Sequence, residues 1–86
     1  MKISVEVSMY PLKDEYISDI QNFIDRVNSC AGLQVITNTM STQICGDYDA
    51  VMDVMHEEMH RSFEESRRAI FVCKFIERDL SPRIKE

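Results

Sequence analysis

Little in this chain marks a linker, a membrane span, a nucleic-acid surface or a disulfide scaffold. Two glycines and two prolines among 86 residues, with no Ser-rich or low-complexity tract, leave nothing to divide it. Residues 1–78 are therefore expected to form one domain, and residues 79–86, with Pro82 and several charges, a mobile C-terminal tail. No apolar run approaches the ~20 residues of a membrane-spanning helix. Ser4, Glu6 and Ser8 interrupt any apolar core that a signal peptide would need. A cytoplasmic protein with no membrane partner is expected. A basic stripe is also missing: ten Lys and Arg stand against fifteen Asp and Glu, a net charge of -5, which argues against nucleic acid and suits a neutral or cationic ligand. The three cysteines, Cys30, Cys45 and Cys73, are odd in number and outside any Cys-x-x-Cys spacing, so they read as reduced small hydrophobes. Cys45 has no neighbouring histidine or basic residue in sequence to lower its thiol pKa.

What the chain does contain is an ordinary globular mixture, 44% hydrophobic and 29% charged, arranged in clear periods. Ile3, Val5, Val7 and Met9 alternate with Ser4, Glu6, Ser8 and Tyr10, the pattern of a strand with one apolar and one polar face. Pro11 cannot donate to a ladder and stops it. Asp14 then offers an N-cap to an amphipathic helix that carries Tyr16, Ile17, Ile20, Phe23, Ile24 and Val27, runs to about Cys30 and stops at Gly32. Residues 33–38 and 41–45 read as strands joined so tightly that they must be antiparallel neighbours, the second ending at Gly46. Asp47 and Asp49 stand where a second helix opens, near its positive end. Its core stripe is Val51, Met52, Met55, Met59 and Phe63, and it runs out near Arg67 and Arg68. Residues 69–76 form a last strand, apolar on both faces with Lys74 the lone polar interruption. Helices cover one face of such a sheet, so a second subunit is expected on the other.

Strand, helix, strand, strand, helix, strand with right-handed crossovers is the order of an α+β, ferredoxin-like split βαβ fold (βαββαβ). It implies a four-stranded antiparallel sheet of order 4-1-3-2 with two helices on one face. The first and third strands are then central, and this pair is expected to run parallel. Glu6, Ser8 and Tyr10 become neighbours of the strand at 41–45, which gathers a carboxylate, a phenol, hydroxyls and an amide.

Residues 38–47 are the stretch most suggestive of function. Seven of the ten carry a hydrogen-bonding side chain or are glycine, yet apolar runs flank them. Thr39, Ser41, Thr42 and Gln43 offer donors and acceptors without formal charge, which suits a small, flat, heteroatom-rich ligand. Ordinary hairpin chemistry, with Asn, Ser and Thr satisfying nearby backbone groups, explains the same residues. A second motif, His56-Glu57-Glu58-Met59-His60, matches the H-E-x-x-H of zinc metalloproteases. These are the only two histidines and no third ligand is in view, so a solvated helix flank with no physiological metal is the reading adopted.

Residues 3–12, 38–43 and 46–52 resemble the YkoF-like thiamine and hydroxymethylpyrimidine-binding family, over about residues 2 to 77. Ser8-Met9-Tyr10-Pro11-Leu12 matches the family's strand end, and Met40-Ser41-Thr42 followed by Gly46-Asp47 its Met-Gly/Ser-Thr and Gly-Asp/Glu pattern. The resemblance implies a ferredoxin-like domain without catalytic activity that binds the pyrimidine part of thiamine. For a single-domain chain it also implies a second half supplied by another subunit, in a dimer or tetramer. The expected ligand neighbourhood is Glu6, Ser8, Tyr10, Asn38, Met40, Ser41, Thr42 and Gln43, with no catalytic residue, metal or cofactor. Gln43, Asn38, Thr42 and Glu6 could complement an aminopyrimidine, its flat face could lie on Tyr10 or Met40, and Glu6 suits the thiazolium cation. Transport, salvage and storage are all compatible with such binding. The rival readings are a regulatory or assembly module, whose polar sheet face is a subunit interface with no small ligand, and a zinc hydrolase built on His56 and His60.

Overall fold

The computed structural model describes residues 1–80. Its elements are β1 (Lys2–Pro11), α1 (Ile17–Asn28), β2 (Gln34–Thr37), β3 (Thr42–Asp47), α2 (Tyr48–Ser66) and β4 (Ala69–Ile76). The strands form one sheet of order β2-β3-β1-β4, the expected 4-1-3-2 counted from the other edge. Every neighbouring pair is antiparallel. This includes β1 and β3, which were expected to run parallel. The α1 crossover returns the chain along the direction of β1, and the tight β2–β3 turn then reverses it, so β3 can only oppose β1.

The alternation along β1 decides which face is covered. Ile3, Val5, Val7 and Met9 are buried with Ile44 of β3, Phe23 and Val27 of α1, and Val51 and Met55 of α2, so both helices lie on one side. Burying each such side chain contributes ~1.5–3 kcal/mol. Phe71 of β4 joins them, its ring 5.3 Å from Phe23 and 5.4 Å from Phe63.

Several boundaries differ from the periodic reading. Asp14 is not the N-cap: α1 begins at Ile17, after Tyr16, with no side-chain cap. Asp19 in its first turn accepts from Lys13 at 2.8 Å and from Ser66 Oγ at 2.6 Å, which ties the start of α1 to the far end of α2. α1 has ended at Asn28 before Gly32, whose positive φ of 84° makes the turn into β2. β3 continues through Gly46 to Asp47; a Cβ at Gly46 would stand 2.6 Å from Cδ2 of Leu33, so a larger residue there would require the Leu33 side chain to move. Arg67 and Arg68 follow the last turn of α2, and the Arg67 amide closes the helix on Phe63 O at 2.9 Å.

The two helices are braced by charge. Arg26 pairs with Glu58 and, at 3.0 Å, with Glu65, and donates to Ser62 Oγ at 2.9 Å. Burial disfavours the charge on Arg26, but the two carboxylates outweigh it and hold the guanidinium above its ordinary range. The tail expected at 79–86 falls on 81–86, which lie outside the described residues, and on Asp79 and Leu80. Ser4 Oγ donates to Arg78 O at 2.8 Å and accepts from Leu80 N at 2.9 Å, so the chain is held against the sheet as far as residue 80.

Candidate functional site

β1 outruns β3. It pairs with β3 from Lys2↔Asp47 only to Val7↔Thr42, but with β4 as far as Pro11↔Ala69. Beyond Val7 one side of β1 has no strand beside it, and the 38–41 turn and the start of α1 frame a notch there. The notch is a cavity of about 280 Å³. Val7, Met9, Ile20, Phe23 and Ile24 supply apolar wall; Ser8, Tyr10, Tyr16 and the 37–42 turn supply the polar groups.

Six of the eight expected ligand residues line this one cavity: Ser8, Tyr10, Asn38, Met40, Ser41 and Thr42. The other two, Glu6 and Gln43, stand opposite each other on β1 and β3 and line a hollow of about 440 Å³ on the open sheet face, with Ser4, Cys45, Lys74 and Leu80. Glu6 joins the two spaces. Its Oε2 accepts from Ser41 Oγ at 3.0 Å, and its Oε1 lies 3.8 Å from Lys74 Nζ. Thr42 and Gln43, adjacent in sequence, face opposite sides of the sheet, as any two neighbours on a strand must.

Part of the polar content is indeed hairpin chemistry. Asn38 Oδ1 accepts from the amides of Met40 at 2.8 Å and Ser41 at 3.0 Å, which fixes the turn. Thr42 Oγ1 lies 3.2 Å from Thr37 Oγ1. Ser8 Oγ reaches Met40 O at 3.4 Å, a long bond that spans the notch from β1 to the turn. Tyr10 and Met40 are exposed at the rim.

Reasoning from the sequence missed the α1 side of the notch. Ile20, Phe23 and Ile24 sit in a helical stripe that reads as plain core; the available signal was Tyr16, a polar-tipped aromatic at the end of that stripe. Lys74 was missed too, although it is the one polar residue in β4. Burial pushes the thiols of Cys30 and Cys73 above their ordinary pKa, as befits small hydrophobes. His56 and His60 lie exposed on α2 beside Glu57, Arg61 and Glu64, with His60 Nδ1 3.6 Å from Glu64. Glu58 instead turns inward to Arg26. Among the described residues no group of three or more His, Cys, Asp or Glu is placed to share a metal ion.

The profile of the YKOF-related family matches residues 2–77. The chain belongs to that family. Among solved structures, this YKOF-related chain is similar to a Streptococcus pneumoniae protein, with a TM-score of 0.84 and 18% identity over 93% of this chain and 90% of that one. It is similar as well to a Thermotoga maritima protein provisionally assigned to thiamine biosynthesis or salvage, with a TM-score of 0.80 and 16% identity over 91% and 85% of the two chains. A hypothetical protein of Methanocaldococcus jannascii reaches 28% identity at a TM-score of 0.76, over 94% and 84%. At 16–18% identity the first two likenesses speak for the fold alone. No curated protein matches.

Proposed function

We propose that this YKOF-related chain binds the aminopyrimidine of thiamine, or free hydroxymethylpyrimidine, without changing it chemically, in the service of transport, salvage or storage. The observation that carries this reading is the notch beside Ser8–Pro11. Its volume of about 280 Å³ falls near the ~300 Å³ lower end of small-molecule sites, the size for one flat ring. Apolar walls would receive the ring faces, and Ser8, Ser41, Thr42 and the Asn38 amide its nitrogen and amine groups. Among the described residues lining the notch there is no imidazole, thiol, amine or carboxylate, so the lining favours holding over transformation. Thiamine's cationic thiazolium would extend past the rim toward Glu6 and Gln43, where a carboxylate is already in place. Membership of the YKOF-related family supports the same ligand class. No helix of the described residues is long and apolar enough to cross a membrane.

Isothermal titration calorimetry with thiamine and with hydroxymethylpyrimidine tests the proposal. Saturable heat from both is the expected result. Heat from thiamine alone would move recognition to Glu6 and Gln43. No heat from either, in folded protein freed of carried-over ligand, would overturn the reading in favour of an assembly module. One observation favours that second reading: Ile70, Val72 and Ile76 stay 48%, 50% and 44% exposed on the open sheet face. Under either reading that face is the surface through which copies would associate into a dimer or tetramer.

A further inference from the structure

The hollow on the open sheet face is larger than the notch, about 440 Å³ against about 280 Å³, and unlike the notch it carries charge. Among the described residues that line it, Glu6 is the one anion and Lys74 the one cation. They stand directly opposite each other on β1 and β4, with Lys74 Nζ 3.8 Å from Glu6 Oε1. Lys74 is also the lone charge in β4, on a face it shares with Ile70, Val72 and Ile76, where packing has no use for an amine.

The proposed binding of thiamine, on which this step rests, draws a thiazolium to Glu6 and so takes the carboxylate away from Lys74. The ammonium is then left without a counter-charge in the lining of the hollow. A phosphate on the ligand restores one: the alcohol arm of thiamine leaves the thiazolium ring, and its phosphate monoester carries about -1.5 to -2 at pH 7. We infer that the hollow receives the phosphate monoester of thiamine in preference to thiamine itself, with the thiazolium beside Glu6 and the phosphate on Lys74. A cation and an anion joined by a short arm then face an anion and a cation on adjacent strands, which lie ~5 Å apart. The length of the hollow selects the monoester. Two residues (~7 Å) along the strands from Glu6 and Lys74, Ser4 opposes Ile76, and there Leu80 closes the space, its amide donating to Ser4 Oγ at 2.9 Å. That leaves room for one phosphate rather than two. The net charge of -5 opposes any anion at long range, so a preference for the ester has to come from Lys74.

The test is isothermal titration calorimetry of the full chain, of Lys74→Gln and of Lys74→Arg, each with thiamine and with thiamine monophosphate. The Lys74 side chain is 80% exposed, so neither substitution disturbs packing. The monophosphate should bind the natural protein about fivefold tighter than thiamine does. Lys74→Gln should abolish that preference while thiamine binds as tightly as before or more so, because Glu6 is freed; Lys74→Arg should keep it. A monophosphate no tighter than thiamine, or a preference that survives Lys74→Gln, would overturn the inference and leave pyrimidine binding in the notch standing. Thiamine diphosphate should bind no tighter than the monophosphate; tighter binding would overturn Leu80 as the end of the hollow. No heat from thiamine, its monophosphate or hydroxymethylpyrimidine would remove the notch reading, and this inference with it.

Discussion

The two faces of this sheet are built from the same strands and share almost nothing else. On the helix side Val5 and Val7 are buried among Ile44, Phe23 and Met55; on the open side, one residue along in each case, stand Ser4, Glu6 and Ser8. Most of the covered face is committed to packing, and it meets ligand space only where Val7, Met9 and Phe23 wall the notch. The open face keeps hydroxyls, a carboxylate and an amide because neither helix lies on that side, and the notch keeps its polar groups because β3 stops pairing with β1 at Val7↔Thr42. Stability and recognition are thus divided between alternate residues of one strand. The sharpest check is a matched pair of truncations. Phe23→Ala removes a buried ring and its 5.3 Å contact with Phe71, and should lower the unfolding free energy by about 3–5 kcal/mol in urea titrations. Val72→Ala, on the open face, should change it by no more than ~0.5 kcal/mol in dilute protein, where the single chain leaves Val72 half exposed. A large cost that does not depend on protein concentration would break the comparison, whereas one that grows with concentration would report association through this face.

This division was largely legible in the sequence, because a period of two states which residues share a face. Ile3, Val5, Val7 and Met9 could be assigned to the core and Ser4, Glu6, Ser8 and Tyr10 to the other side from spacing alone. Direction and length were harder to read. The antiparallel sense of β1 and β3 follows from counting chain reversals, and the notch follows from β1 outlasting β3, a property of register that no local pattern encodes. Asp14 had the right residue type for a cap, but the start of α1 is fixed by Asp19, whose partner Ser66 is distant in sequence. Six of the expected ligand residues came together because the turn that carries Asn38, Met40, Ser41 and Thr42 lies beside the end of β1 that carries Ser8 and Tyr10, while Gln43 was separated from Thr42 by the pleat itself.

That separation yields a smaller but more discriminating prediction. Gln43 lies outside the notch, in the open-face hollow with Glu6. Gln43→Ala should therefore weaken thiamine by about 1–3 kcal/mol through lost hydrogen bonds, while the affinity for hydroxymethylpyrimidine, which ends at the rim, stays unchanged. Calorimetry with the two ligands on one variant reads the difference directly. Equal losses for both would put the pyrimidine ring itself on the open face and make the notch a by-product of strand length.

The helix side also contains one polar arrangement whose effect should be visible in pH. The hydrogen bonds from Lys13 and Ser66 hold the Asp19 carboxyl below its ordinary value, against the opposing effect of burial. Unfolded, the same group titrates at about 3.9. A carboxyl lowered on folding contributes stability in full above the unfolded value, and loses it as pH falls from there through the folded one. The advantage of the natural protein over Asp19→Asn should thus hold from neutral pH down to about pH 4–5 and shrink steadily below it, as urea midpoints across that range would record. A difference that stays flat into strong acid would mean that Asp19 gains nothing from Lys13 and Ser66 in the folded chain. The link between the start of α1 and the end of α2 would then rest on the apolar contacts and the Arg26 brace alone.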